Sequence, residues 1–182
     1  MIQAGSESDA AIITKSGIVT NFYIWHEAWP QQPTAHEFAS ISPGDLISVY
    51  VYVGDSSGKI DPSGNYAYFT IQDQTVWQEY SASTKLGSSF GFSATSAEWI
   101  IERPFVSGAF PELSDYSFLE MTGAYVLPAT GTTMIPYSKA ENVQLTMRGN
   151  YDGPWYDNNV LSTVTGDSYC SNCMWFYWKN FH

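Results

Sequence analysis

Asp45-Leu46-Ile47-Ser48-Val49-Tyr50-Val51-Tyr52-Val53 alternates without a break. Ile47, Val49, Val51 and Val53 fall on one side, with Leu46, Ser48, Tyr50 and Tyr52 on the other. A period of two held over this length by β-branched and aromatic residues predicts a half-buried strand. Tyr66–Gln72 repeats the pattern, with Ala67, Phe69 and Ile71 opposite Tyr66, Tyr68, Thr70 and Gln72. Asn142–Arg148 sets Val143, Leu145 and Met147 against Asn142, Gln144, Thr146 and Arg148. Turn signals separate such runs: Ser42-Pro43-Gly44-Asp45, Gly54–Gly58, Asp61-Pro62-Ser63-Gly64, Pro128–Gly131 and Gly149–Pro154. No stretch sustains the i, i+3, i+4, i+7 spacing of a helix. Many short strands joined by turns predict an all-β fold, an antiparallel sandwich or barrel, as one domain across residues 1–182. Rows of tyrosine opposite the core face suggest a sheet face that holds an extended or planar ligand, and a peptide or a sugar would both fit.

Composition narrows the partners. Seven Lys and Arg stand against eighteen Asp and Glu, a net charge of −11, and charged residues make up only 14% of the chain, against roughly 25% in an average soluble domain. So few bases cannot build a phosphate-binding stripe, so nucleic acid is not expected as a partner. An anionic membrane surface is disfavoured for the same reason, no window approaches 18 consecutive apolar residues, and no membrane partner is expected. The aromatic share of 16% and apolar share of 44% are enough to offset the ordering entropy of folding. Met1-Ile2-Gln3-Ala4-Gly5 lacks the basic and apolar regions of a secretion signal, which would have to lie upstream.

Three segments carry candidate chemistry. In Ile24-Trp25-His26-Glu27-Ala28-Trp29-Pro30, a strand would put Trp25, Glu27 and Trp29 on one face. Two indoles flanking a carboxylate can bracket an extended ligand, or the tryptophans can be core and Glu27 a hydrogen-bonded or rim carboxylate. In Ala97-Glu98-Trp99-Ile100-Ile101-Glu102-Arg103-Pro104, Glu98 and Glu102 share a face opposite Trp99 and Ile101. At about 3.3 Å per residue their Cα atoms lie roughly 13 Å apart, too far to act together as a glycosidase pair. One of them can still be catalytic with a partner from elsewhere, or both are exposed strand glutamates, one paired with Arg103. The opening Ile2-Gln3-Ala4-Gly5-Ser6-Glu7 says nothing by itself.

Cys170-Ser171-Asn172-Cys173 is a lone C-x-x-C. A zinc site needs four ligands and no second pair or spaced histidine pair accompanies it, so a local disulfide or two free thiols is the better reading. Nucleophile-elbow, H-E-x-x-H and phosphate-loop motifs are absent from the sequence.

Taken in order, these segments resemble the glutamic peptidases (the eqolisins, peptidase family G1, formerly grouped as A4). Ile2-Gln3-Ala4-Gly5-Ser6-Glu7 is similar to the segment with the family's catalytic glutamine. Trp25-His26-Glu27-Ala28-Trp29-Pro30 is similar to its W-x-E-aromatic-aromatic-P strand, followed as in the family by a P-G-D strand, here Pro43-Gly44-Asp45-Leu46-Ile47-Ser48-Val49. Ala97–Pro104 is similar to the A-E-W-I-V-E segment whose second glutamate is catalytic, and Leu113–Ala124 and the C-terminal strands keep the family's order.

The resemblance implies a concanavalin A-like (jelly-roll type) sandwich of two antiparallel sheets and acid-acting endopeptidase chemistry on polypeptide substrates. Gln3 and Glu102 would form the catalytic pair, Trp25, Glu27 and Trp29 would bind substrate, and no metal or organic cofactor would be needed. It implies a secreted protein. A non-catalytic, lectin-like sandwich binding carbohydrate through Trp25, Trp29 and surface tyrosines is the alternative, as is an inactive truncated relative. Two departures stand out. The family has an acidic residue where this chain has Tyr23. It also has strands ahead of its glutamine, including a W-V-G-I-D-G segment, so that a missing N-terminal segment or a second chain is expected to complete the sandwich.

Overall fold

The computed structural model describes residues 1–13, 17–31, 36–88, 90–92, 95–102, 116–128, 131–148 and 160–179. Among them are twelve strands, antiparallel at every pairing, and one short 3-10 turn, Tyr137–Lys139. They divide between two compact units, Met1–Ser93 and Ala94–His182.

The first unit holds β1 (Ile2–Ile13), β2 (Gly17–Ala28), β3 (His36–Ser40), β4 (Ile47–Gly54), β5 (Tyr66–Asp73) and β6 (Gln78–Lys85). They form two three-stranded sheets, β1-β2-β3 and β4-β5-β6. Alternation does the work here: every second residue of β5 from Ala67 to Asp73 is buried, because successive side chains point to opposite faces. Ala28, Val53, Ala67, Phe69 and Leu86 form the buried cluster, with Ile2, Ala4, Val51, Phe90 and Phe92 packed on it. Fully burying a side chain such as Phe69 or Ile71 contributes roughly 1.5–3 kcal/mol. Before β4, Gly44 takes φ +94°, the left-handed position that a Pro-Gly turn requires, and Asp45 accepts the Ser42 N–H at 2.7 Å.

The second unit holds β7 (Phe118–Met121), β8 (Tyr125–Val126), β9 (Ile135–Pro136), β10 (Met147–Arg148), β11 (Val160–Gly166) and β12 (Met174–Trp178). One sheet runs β10-β11-β12-β7, and β8 pairs with β9. Its core is Ala124, Tyr137, Met174 and Phe176. Of the two readings of the C-x-x-C, the local bridge is the one present: Cys170 and Cys173 are disulfide-bonded, Cα atoms 5.3 Å apart, within the ordinary range.

Two expectations are corrected. Asn142–Arg148 is not one strand: only Met147 and Arg148 pair, and Val143 and Leu145 are exposed. Alternation records which side chains could share a face, whereas a strand also needs a partner backbone. Ala97–Glu102 likewise belongs to no ladder, though its in-and-out order survives. In the tyrosine row of β4 and β5, two members hold a loop. Tyr52 and Tyr68 stack at 5.0 Å, and their hydroxyls donate to the carbonyls of Gly58 (3.1 Å) and Asp55 (2.6 Å). Arg103, Pro104, the Gly149–Pro154 turn, the middle of Pro128–Gly131 and the first residues of Leu113–Ala124 lie outside the described residues.

Candidate active site

β1 and β2 form a long hairpin whose register sets Gln3 directly opposite Glu27, Gly5 opposite Trp25 and Glu7 opposite Tyr23. Directly opposed residues share a face, so these six line one side of the ribbon. The other side is apolar: Ile24 and Ala28 are fully buried, and Ile2 and Ala4 join the core. His26 is buried there too, its ring stacked on Phe38 at 4.4 Å and tilted against Phe69 at 4.7 Å. The core thus fixes the ribbon, and the ribbon holds Gln3 and Glu27 together on the face opposite that core.

The amide of Gln3 donates from Nε2 to Oε2 of Glu27 at 2.6 Å. Glu27 retains only 9% of its exposure, so this charge-assisted bond is a large part of what makes its burial tolerable. Each amide nitrogen carries two hydrogens, and Glu27 engages Nε2 through one acceptor oxygen. The indole of Trp25 lies across Gly5, where a Cβ would meet the ring at 3.7 Å. In the register the Gly5–Trp25 pair stands as a wall between the Gln3–Glu27 pair and the Glu7–Tyr23 pair.

Beyond that wall Tyr23 donates to Glu7. Burial comes first and the Glu7 hydrogen bond second in pushing its phenol well above the usual tyrosine range, with the charges of Glu7, Asp9 and Glu37 adding to the shift. Among the described residues of β1, β2 and β3 no lysine or arginine side chain offsets these carboxylates.

The expected substrate-binding residues divide. Trp25 and Glu27 share the face with Gln3. Trp29 does not, because β2 ends at Ala28 and Trp29 enters the following turn, half exposed. Its carbonyl accepts the Met1 ammonium at 2.9 Å. Glu102 belongs to the second unit. There Trp99 and Ile101 pack on the core cluster, Trp99 sitting 6.3 Å from the Tyr137 ring, while Glu98, Ile100 and Glu102 face outward. The Gln3–Glu27 bond was not foreseen from the sequence. The β1–β2 register is symmetric about position 15, and Gly17, the first residue of β2, at φ +94°, was the available signal.

A family-wide sequence model described as the peptidase A4 family matches residues 1–168. Among solved structures, aspergilloglutamic peptidase from Aspergillus niger superimposes with a TM-score of 0.70 at 19% identity, covering 98% of this chain and 89% of that one. No curated protein sequence gives a significant match. The structural likeness establishes the all-β sandwich fold, and the match across nearly the whole sequence establishes the lineage: the chain belongs to the peptidase A4 family, the glutamic peptidases.

Proposed function

We propose that this peptidase is a secreted endopeptidase that works in acid, with Gln3 and Glu102 as its catalytic pair and water as the nucleophile. The observation that carries the reading is the Gln3–Glu27 hydrogen bond. A glutamine side chain held by a buried carboxylate on the face opposite the core is oriented to use its second N–H on something else.

In this mechanism the Glu102 carboxylate takes a proton from water as the hydroxyl adds to the scissile carbonyl carbon. The Gln3 N–H donates to the carbonyl oxygen as it becomes negative. Collapse of the tetrahedral intermediate breaks the C–N bond, and the proton on Glu102 passes to the leaving amine. A neutral amide keeps its donor at every pH, so only the glutamate must be in the right protonation state. Trp25 would line the substrate's path, Glu27 would hold Gln3, and Trp29 would contact substrate from the turn. The −11 charge and the Cys170–Cys173 disulfide both suit an acidic, oxidising exterior.

Digestion of a denatured protein at about pH 4, close to the ordinary glutamate value, tests the reading. Gln3→Ala is expected to lose on the order of 10²–10³ in kcat, and Glu102→Gln roughly 10²–10⁴. Undiminished cleavage by Glu102→Gln would remove Glu102 from the mechanism.

A further inference from the structure

The turn between β5 and β6 carries a residue that its own geometry disfavours. Trp77 has φ +57°, the left-handed region where a Cβ clashes with the backbone and Gly or Asn is preferred. Its side chain is 81% exposed, so burial offsets none of that strain. Neighbouring Val76 is 55% exposed. A bulky indole that costs the turn and returns nothing to the core is a local conflict of the kind found where a surface has another use.

The surroundings hold this turn firmly. Asp73, 4% exposed, accepts the N–H groups of Thr75 (2.9 Å) and Val76 (3.3 Å). The segment before β4 is tied alongside: Gln74 N–H donates to the Leu46 carbonyl at 2.8 Å, and Leu46 N–H to the Thr75 hydroxyl at 2.9 Å. Leu46 is itself 59% exposed. Two loops hydrogen-bonded to each other therefore carry Leu46, Val76 and Trp77, all exposed, as an apolar knob.

The knob's occupant follows from its area and charge. Three such side chains expose on the order of 400 Å², about half of the ~800 Å² that each partner of a specific protein complex buries. A lipid interface needs no complementary pocket, and tryptophan is suited to one because its ring is apolar and its N–H is polar. The flanking charges are Asp45 and Glu79, and the chain carries −11 overall at pH 7, so at neutral pH anionic headgroups repel it. The charge argument against a membrane partner therefore speaks only against anionic lipid. We propose that Leu46, Val76 and Trp77 form an anchor that inserts into a neutral, zwitterionic lipid surface.

Flotation of the full chain at pH 7 with phosphatidylcholine vesicles, alone or doped with phosphatidylserine, tests this. The protein is expected to float with the former and less with the latter. Trp77→Asn is expected to weaken binding by about ten-fold or more while raising the urea midpoint, since Asn tolerates the left-handed turn. Leu46→Ser, which leaves the turn backbone alone, is expected to weaken binding in the same direction. The proposal is overturned if the protein ignores phosphatidylcholine vesicles or prefers the doped ones. It is equally overturned if either variant binds as well as wild type, or if Trp77→Asn lowers the urea midpoint, which would make Trp77 a structural residue. Self-association lost in Trp77→Asn would assign the knob to a second copy of the chain instead.

Discussion

Glu27 and Gln3 form a pair in which each residue explains the other's position. A carboxylate exposed by only 9% needs a donor, and the amide opposite it on β1 supplies one at 2.6 Å. Removing the amide leaves the carboxylate buried without that donor, so Gln3→Ala is expected to cost about 1–3 kcal/mol in urea unfolding, besides its loss of activity. Glu27→Gln separates positioning from chemistry. Its amide oxygen can still accept from Gln3, but the bond is no longer charge-assisted and the amide is held less firmly. Steady-state kinetics should then show kcat falling with KM little changed, the pattern of an interaction used only in the transition state. A KM effect alone would make Glu27 a substrate contact.

At the scale of elements, local patterns were legible and pairings were not. Tyr66–Gln72 could be read almost residue for residue, because one face of β5 is buried and the period is strict. The order of Trp99, Ile101 and Glu102 was equally readable, although the segment pairs with no strand. What stayed hidden were contacts set by register: Gln3 with Glu27, and the tyrosines with the β4–β5 loop. That loop is held by close backbone approach as well. A Cβ on Gly64 would lie 2.1 Å from the Gly54 carbonyl oxygen and 2.9 Å from that of Asp61, both backbone atoms that cannot step aside. Gly64→Ala is therefore expected to destabilise by about 1–3 kcal/mol, read by urea unfolding, with amide protection lost first across residues 55–65. Unchanged stability would mean that Gly64 does not pack closely on the Gly54 carbonyl.

For the whole molecule, particular groups set the limits of stability in acid and in base. Between neutral pH and the carboxylate range, protonation lowers the self-repulsion of a chain at −11, so the melting temperature should hold or rise as acid is added. Below that range the sign reverses. Asp55 and Asp61 are held below the ordinary Asp value of 3.8, mainly because Ser57 and Ser63 donate to them through side chain and backbone. A depressed carboxylate adds stability above its unfolded value and loses it as pH falls through the folded one, because the unfolded chain takes the proton first. The melting temperature should thus begin to fall at about 3.8 and below, with the β4–β5 loop loosening earliest. Tyr23 sets the opposite limit. Its raised phenol keeps its contribution up to the ordinary tyrosine value near 10 and loses it above, where the unfolded chain gives up its proton first. Thermal melts across this range should give a broad dome with its acid shoulder intact near pH 4. Replacing Ser57 and Ser63 by alanine should lower the melting temperature above about pH 4 and flatten the acid limb, and Tyr23→Phe should flatten the alkaline limb. A melting temperature that falls steadily from pH 7 to 4 would show that charge repulsion is not what acid relieves, and would count against an acid-adapted enzyme.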